Sequence, residues 1–330
     1  MHKEQISYNI KIASLICTCF VVLRHSLNLR AFWGIDYIDN YCGFIELGFS
    51  TLTEFAVPFF FFISGYFFFQ RDYYNFNKYK EMLRKKSKTL LLPFIIWNII
   101  GAIILYIYNP SMFNSSISNI TIDFLLGKWN PPLWYVRNLI LMMILYPLYG
   151  WIFKTSNLIY KICVILALLY FWIPVDCSWY SIEGWLFFII GGVFTQENFK
   201  IKISSYILYL LIVIWILLCF YKPYWNEIIH KATTILGVSI IIYIINSIKI
   251  NKNELLYKFA SYSFLIYVAH IYMVKSMKVL IANKYPENEI TAILSYFTIP
   301  IICIFFILII GNSWKKIHSK SYSILMGGRT

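Results

Sequence analysis

Ten segments of this 330-residue sequence are apolar enough to be predicted membrane spans, although the fifth and sixth are short. A membrane-crossing helix needs about 20 consecutive, mostly apolar residues. The predicted spans are residues 10–28, 46–69, 90–108, 133–152, 158–174, 182–196, 204–221, 231–248, 259–280 and 291–312. We therefore predict an all-α fold, a polytopic membrane helical bundle of about ten transmembrane helices. Residues 1–330 are expected to form a single integral membrane domain with no separate soluble domain.

The composition excludes an ordinary soluble domain. Hydrophobic residues make up 60% of the chain and charged residues only 13%, whereas soluble domains are about 45–50% apolar and about 25% charged. The net charge of +14 would suggest nucleic acid in a soluble protein. Here the Lys and Arg residues concentrate in the connections on one side of the predicted spans, as the positive-inside rule requires. We therefore expect membrane lipid around the chain, both termini in the cytoplasm and no nucleic-acid partner.

The seven cysteines do not form a metal-binding pattern. The sequence has neither a CxxC motif nor a cluster of Cys and His, so we expect no metal. Cys42 and Cys177 fall in connections predicted to lie outside. Whether they pair stays open, because a sequence does not establish disulfide geometry.

Two histidines lie deep within predicted spans. His25 follows Arg24 near the end of IKIASLICTCFVVLRHS, and His270 lies in SYSFLIYVAHIYMV. The helical rise places His25 roughly 20 Å and His270 roughly 17 Å from the inner ends of their spans. Ionisable residues inside a membrane are costly and usually face a cavity. Each imidazole is therefore either a general base or a buried histidine bonded to a neighbouring hydroxyl or carbonyl.

Two further charged residues lie in the second and fourth spans. Glu54 is a candidate countercharge for Arg24 or Arg137, because an isolated carboxylate would be costly there. A supporting role in catalysis is the other interpretation of Glu54. Arg137, in PPLWYVRNLILMMILYP, either extends to the outer interface or faces a cavity and holds an anionic or developing oxyanion group.

The connection between the second and third spans, residues 70–90, is strongly basic. Its cations are Arg71, Lys78, Lys80, Arg84, Lys85, Lys86 and Lys88. Ordinary positive-inside charge with lipid headgroup contact explains much of this. The functional alternative is a cytosolic site for a phosphate-bearing ligand.

Several motifs together resemble the acyltransferase-3 family of integral membrane acyltransferases. They are VVLRH, VPFFFFISGYFF, the basic connection into LLPF, PLWYVRNLI and SYSFLIYVAH, spread over roughly residues 10–275. The resemblance implies transfer of an acyl group, commonly acetyl from acetyl-CoA or another acyl-CoA, to a hydroxyl of a glycan or lipid-linked sugar. It implies O-acetylation of a cell-envelope or exported polysaccharide, and we expect a location in the bacterial plasma (inner) membrane.

By the same resemblance, His25 matches the family's first-helix catalytic histidine and Arg137 matches an arginine of the fourth-segment motif. The family often has an arginine eleven positions before the histidine, where this sequence has Ser14. Lys11 or the basic connection, with Arg84, Lys85, Lys86 and Lys88, is therefore expected to contact the donor. A transporter or flippase for a glycolipid or small solute is the alternative function, although we find no two-half symmetry. A purely structural protein would not need His25 and Arg24 inside a span.

Overall fold

The computed structural model describes residues 3–27, 41–113, 116–154, 157–172, 181–197, 203–221, 227–285 and 288–329. All regular secondary structure in these ranges is helical. The sixteen α-helices are α1 Lys3–Arg24, α2 Tyr41–Thr53, α3 Ala56–Phe68, α4 Phe76–Lys86, α5 Leu92–Tyr108, α6 Ile117–Leu126, α7 Trp134–Ile144, α8 Tyr146–Tyr149, α9 Leu158–Trp172, α10 Ile182–Glu197, α11 Ser205–Phe220, α12 Glu227–Ser247, α13 Glu254–Ala260, α14 Ser263–Lys284, α15 Glu289–Ile317 and α16 Ser319–Leu325.

The predicted all-α membrane fold is confirmed. Among the described residues, six helical segments are long and apolar enough to cross a membrane, and a bent pair raises this to seven. The helices α9, α10 and α11 lie at the fifth, sixth and seventh predicted spans, and with 15, 16 and 16 residues they are shorter than each of those six segments. The chain is therefore a multi-pass membrane protein with a helix at each of the ten predicted positions.

Two predicted boundaries are wrong. Residues 70–90 were expected to be a connection, but α4 begins at Phe76, and the π-helical turn Ser87–Leu91 joins it to α5. The Asn75 side chain accepts a hydrogen bond from the Asn77 amide and so starts α4. The fourth span was expected to be one helix, but it bends by 62° between Pro131–Ile144 and Tyr146–Phe153. Pro147, in the first turn of α8, has no amide hydrogen to continue α7.

The helices form two compact units that alternate along the chain. The first unit contains Met1–Phe60 and Phe199–Gly311, and the second contains Phe61–Asn198 and Asn312–Thr330. In the first unit α1 packs against α2, α12, α13 and α14. The buried Asn9 amide donates to the carbonyls of Ile245 and Ile248, which fixes the first half of α1 against the end of α12.

In the second unit, glycines allow the part of α3 from Phe61 onward to approach α10 closely. A Cβ at Gly65 would overlap the carbonyl oxygen of Phe188, and one at Gly191 would overlap the carbonyl oxygen of Phe62. Small residues permit such backbone contact between membrane helices. The ISGY part of VPFFFFISGYFF is therefore a helix-packing element.

Candidate active site

The end of α1 carries His25 into a polar region of the first unit. Helical hydrogen bonding continues to His25, whose amide donates to the Val21 carbonyl at 3.2 Å. The amides of the next two residues, Ser26 and Leu27, donate to the carbonyls of Leu23 and Arg24 in a turn, and the Ser26 side chain is buried. His25 itself is half-buried.

His25 contacts the second histidine predicted from the sequence. The ring centroids of His25 and His270 are 5.1 Å apart. The His270 side chain is fully buried, at 0% exposure, and its Nδ1 lies 3.0 Å from the Ile266 carbonyl. A carbonyl only accepts, so Nδ1 carries the proton and Nε2 carries the lone pair. That buried Nε2 has no hydrogen-bond partner among the described residues.

Lys278 holds the chain immediately after α1. Its side chain is only 5% exposed, and its Nζ donates to the carbonyls of His25 at 2.7 Å and Leu27 at 2.6 Å. Helix ends leave carbonyls without intrahelical partners, and a lysine that binds them stabilises the end. The buried carboxylate of Glu46 also acts electrostatically on Lys278. Lys278 is not among the site residues predicted from the sequence.

Arg24 belongs to a separate polar cluster in the same unit. It forms an ion pair with Glu54 and donates to the Ser50 carbonyl at 3.2 Å and the Ser50 Oγ at 2.9 Å. The other Glu54 oxygen lies 2.5 Å from Nδ1 of His230. Glu54 thus has Arg24 as its countercharge. His230 was not predicted as a site residue. It directly precedes the eighth predicted span, and a histidine at the membrane interface does not by itself indicate a site.

Arg137 lies in the second unit, beside a cavity of about 660 Å³. Its guanidinium donates to the Leu126 carbonyl at 2.9 Å. The other polar side chains in the lining are Asp123 and Lys128, which form an ion pair at 2.6 Å. Aromatic lining comes from Phe113, Trp129 and Trp134.

The predicted donor-binding residues occupy two places. In the first unit, the Lys11 ammonium lies 3.6 Å from the centroid of the Tyr257 ring, and Ser14 donates to the Ile10 carbonyl of its own helix. In the second unit, Arg84, Lys85 and Lys86 form the last turn of α4, and Lys88 follows in the π-helical turn. No group of His, Cys, Asp and Glu suited to a metal occurs in the described ranges. Cys177, the proposed partner of Cys42, lies outside them.

Comparison with known proteins identifies the family. A family model described as an acyltransferase domain matches residues 8–311. The chain belongs to the acyltransferase-3 family. It is also 25% identical over 313 residues to the succinoglycan biosynthesis protein ExoH of Rhizobium meliloti (strain 1021), with 85% of this chain and 81% of that protein covered. No solved structure matches the chain significantly.

Family membership makes the protein a membrane acyltransferase. Acyl transfer to a hydroxyl needs a group that removes a proton from the acceptor. In the first unit, the contact between His25 and His270 combines a half-buried histidine with a fully buried one whose Nε2 has no hydrogen-bond partner among the described residues. The matched region also contains Arg24, Glu54 and Arg137, whose roles stay predictions.

Proposed function

We propose that this acyltransferase-3 protein transfers an acetyl group from acetyl-CoA to a hydroxyl of a cell-envelope or exported polysaccharide, or of its lipid-linked precursor. The family supports acyl transfer. The relative named for succinoglycan biosynthesis supports a glycan acceptor. The positive-inside pattern supports a plasma (inner) membrane protein with cytoplasmic termini and access to acyl-CoA from inside.

His25 acts as the general base in this proposal. Its imidazole nitrogen takes the proton of the acceptor hydroxyl while the hydroxyl oxygen attacks the thioester carbonyl. Collapse of the tetrahedral intermediate breaks the carbon–sulfur bond, and the imidazolium returns the proton to the departing thiolate. The observation that carries the proposal is the contact between the half-buried ring of His25 and the buried ring of His270.

His270 positions His25 and supplies a second nitrogen for the proton. Its Nδ1 proton is engaged by the Ile266 carbonyl, so Nε2 can accept a hydrogen bond or proton from a neighbouring group. A transient acyl group on His25 is the other route to the same products. A quenched reaction with labelled donor separates the two routes, because only the second leaves label on the protein.

The cavity beside Arg137 is the proposed acceptor site. Sugars present apolar ring faces and many hydroxyls, and this lining offers aromatic rings from Trp129 and Trp134 together with polar groups. Pockets that bind small molecules share this pattern of apolar walls with a few fixed polar groups. Arg137 would orient a hydroxyl or an anionic substituent of the glycan there.

The test is transfer of radiolabelled acetyl from acetyl-CoA to envelope polysaccharide by membranes that contain the wild type or His25→Ala at equal expression. We expect His25→Ala to lose at least about a hundredfold in rate, within the range attributed to a positioned base. His318→Ala is the matched control, because that histidine is exposed, and it should retain the wild-type rate. Equal labelling by wild type and His25→Ala would exclude His25 as the base. Absence of label with every acyl donor would favour the transporter or flippase alternative.

A further inference from the structure

The chain after α6 is held in one conformation by its own backbone. The Lys128 amide donates to the Asp123 carbonyl at 3.0 Å, and the Gly127 amide donates to the Phe124 carbonyl at 3.0 Å. With Gly127 at φ 70°, these bonds define a Schellman motif. A side chain is disfavoured at this positive φ, and a Cβ at Gly127 would also crowd the Phe94 ring at 3.1 Å. The backbone that carries Lys128 is therefore preorganised.

An ion pair crosses this turn in the lining of the cavity described above. Lys128 Nζ lies 2.6 Å from a carboxylate oxygen of Asp123, and both residues line the cavity of about 660 Å³. The Lys128 side chain is 58% exposed and the Asp123 side chain 34%. Exposed ion pairs contribute little to stability, and the Schellman motif already holds the turn. Stability of the turn therefore does not account for the pair, and both charged groups are accessible to a ligand.

Trp129 forms an aromatic wall of the cavity directly after the ion pair in the chain. Its ring centroid lies 5.5 Å from that of Phe113 and 5.6 Å from that of Phe124, with tilted planes in both cases. Aromatic contacts of this kind favour particular ring orientations. Trp129 is half-buried and lines the same cavity as the ion pair. The exposed part of its indole is therefore available to a ligand that also reaches the two charged groups.

We propose that Asp123, Lys128 and Trp129 form a sugar subsite that selects a pyranose with two free neighbouring hydroxyls. The proposal rests on the proposed function, and it names the part of the acceptor that the cavity recognises. A hydroxyl both donates and accepts, so one hydroxyl donates to the carboxylate while its neighbour accepts from the ammonium. Hydrogen bonds to charged groups are about twice as strong as those between neutral groups. The apolar face of the sugar ring packs on the indole.

The ion pair counts against two other occupants of this part of the cavity. Aromatic rings beside a carboxylate would suit a quaternary ammonium group, but Lys128 already neutralises Asp123 and would repel a second cation. A lipid acyl chain would suit the apolar walls, but it would displace water from two charged groups without offering hydrogen bonds. A sugar fits the aromatic wall and the ion pair together.

The experiment measures sugar binding to the full chain in nanodiscs by saturation-transfer NMR, with no turnover required. The probes are the methyl glycosides of glucose, galactose and mannose, each with free hydroxyls and in a fully O-methylated form. At least one free glycoside should bind, and its O-methylated form should bind at least about tenfold more weakly, because it donates no hydrogen bond to the carboxylate.

Variants of the three residues identify the subsite. Asp123→Asn and Lys128→Met should each weaken binding about tenfold, as expected for the loss of one charge-assisted hydrogen bond. Trp129→Leu should weaken it similarly, whereas Trp129→Phe should retain most of the affinity, which excludes misfolding as the cause. Asp72→Asn is the matched control, because Asp72 belongs to another exposed ion pair of the second unit, with Lys78 at 3.9 Å. This variant should bind like wild type.

The double variant Asp123→Asn with Lys128→Met separates recognition from local charge balance. Wild-type affinity in the double variant would overturn the proposal, because the pair would then serve only to cancel charge. Failure of all three free glycosides to bind would also overturn it, and equal binding of the O-methylated forms would do so in favour of an apolar occupant. Acyl transfer to a glycan with unchanged acceptor KM in Asp123→Asn would overturn the subsite and leave the proposed function standing. Sugar binding that depends on Asp123, without acyl transfer from any donor, would count against the proposed function and leave the subsite supported.

Discussion

Replacement of Lys278 by methionine tests whether the end of α1 must be held for acyl transfer. Methionine keeps the length and apolar stem of lysine but removes both hydrogen bonds to the carbonyls of His25 and Leu27. One of these carbonyls belongs to the proposed base itself. Loss of Lys278 therefore loosens the backbone that determines where the His25 ring lies against His270.

The size of the effect follows from those two bonds. Leaving a buried polar group without its partner costs about 1–3 kcal/mol, and bonds to charged donors lie toward the upper end. Because His25 is only half-buried, water can replace part of the lost hydrogen bonding. We therefore take the loss of the two Lys278 hydrogen bonds together to cost about 3 kcal/mol. A loss of that size at the base corresponds to roughly a hundredfold in kcat, since about 1.4 kcal/mol is tenfold.

The assay is acetyl transfer with purified protein, with kcat and KM measured separately and the melting temperature recorded for each variant. Lys275→Met is the matched control, because Lys275 is exposed on the same helix, and it should leave kcat unchanged. The double variant Glu46→Gln with Lys278→Met restores the local charge balance but not the hydrogen bonds. Recovery of kcat in the double variant would refute the capping argument and show that charge alone mattered. Unchanged kcat in Lys278→Met would refute it directly.

Two further predictions concern the other polar groups. Arg24→Met should lower the melting temperature and membrane yield by leaving the mostly buried Glu54 without its cation, whereas Arg24→Met with Glu54→Gln should recover both. Thermal unfolding of the two variants checks this. Equal destabilisation of the single and the double variant would show that Arg24 stabilises the protein by something other than neutralising Glu54. Arg137→Ala should raise KM for the glycan acceptor about tenfold through loss of a charged contact, with CoA binding unchanged. Titration of the acceptor measures its KM, and calorimetry measures CoA binding. An unchanged acceptor KM would show that Arg137 is not part of the acceptor site.

The membrane class of the fold could be predicted from the sequence, because hydropathy depends on composition over about 20 residues. The start of α4 at Phe76 could not be predicted in this way, because its charged residues hide a helix that is continuous with the following span. The 62° bend before Pro147 was equally hidden. Hydropathy registers how apolar a segment is and is insensitive to whether its helix continues.

The candidate site was only partly predictable for a related reason. Helical rise gives the depth of a side chain along its span, and similar depths were predicted for His25 and His270. The rise does not give the direction in which a side chain points, and the contact at 5.1 Å depends on that direction. The cost of a buried carboxylate predicted a countercharge for Glu54 but left Arg24 and Arg137 as alternatives. The ion pair between Arg24 and Glu54 in the structure identifies Arg24 as that countercharge.

The position of His25 beyond the last residue of α1 also explains why Lys278 is needed. A histidine in the middle of a membrane helix is surrounded by its own helix, which restricts the approach of a substrate. At a helix end the ring is more accessible, but the last carbonyls have no intrahelical partners and are costly away from water. Lys278 donates to the carbonyls of His25 and Leu27, just beyond this helix end, from α14, the helix that also carries His270 two turns earlier. One helix therefore stabilises the backbone at His25 and contacts its ring. For this reason we expect variants of Lys278 and His270 to be non-additive in kcat, whereas variants of Lys275 should combine additively with either.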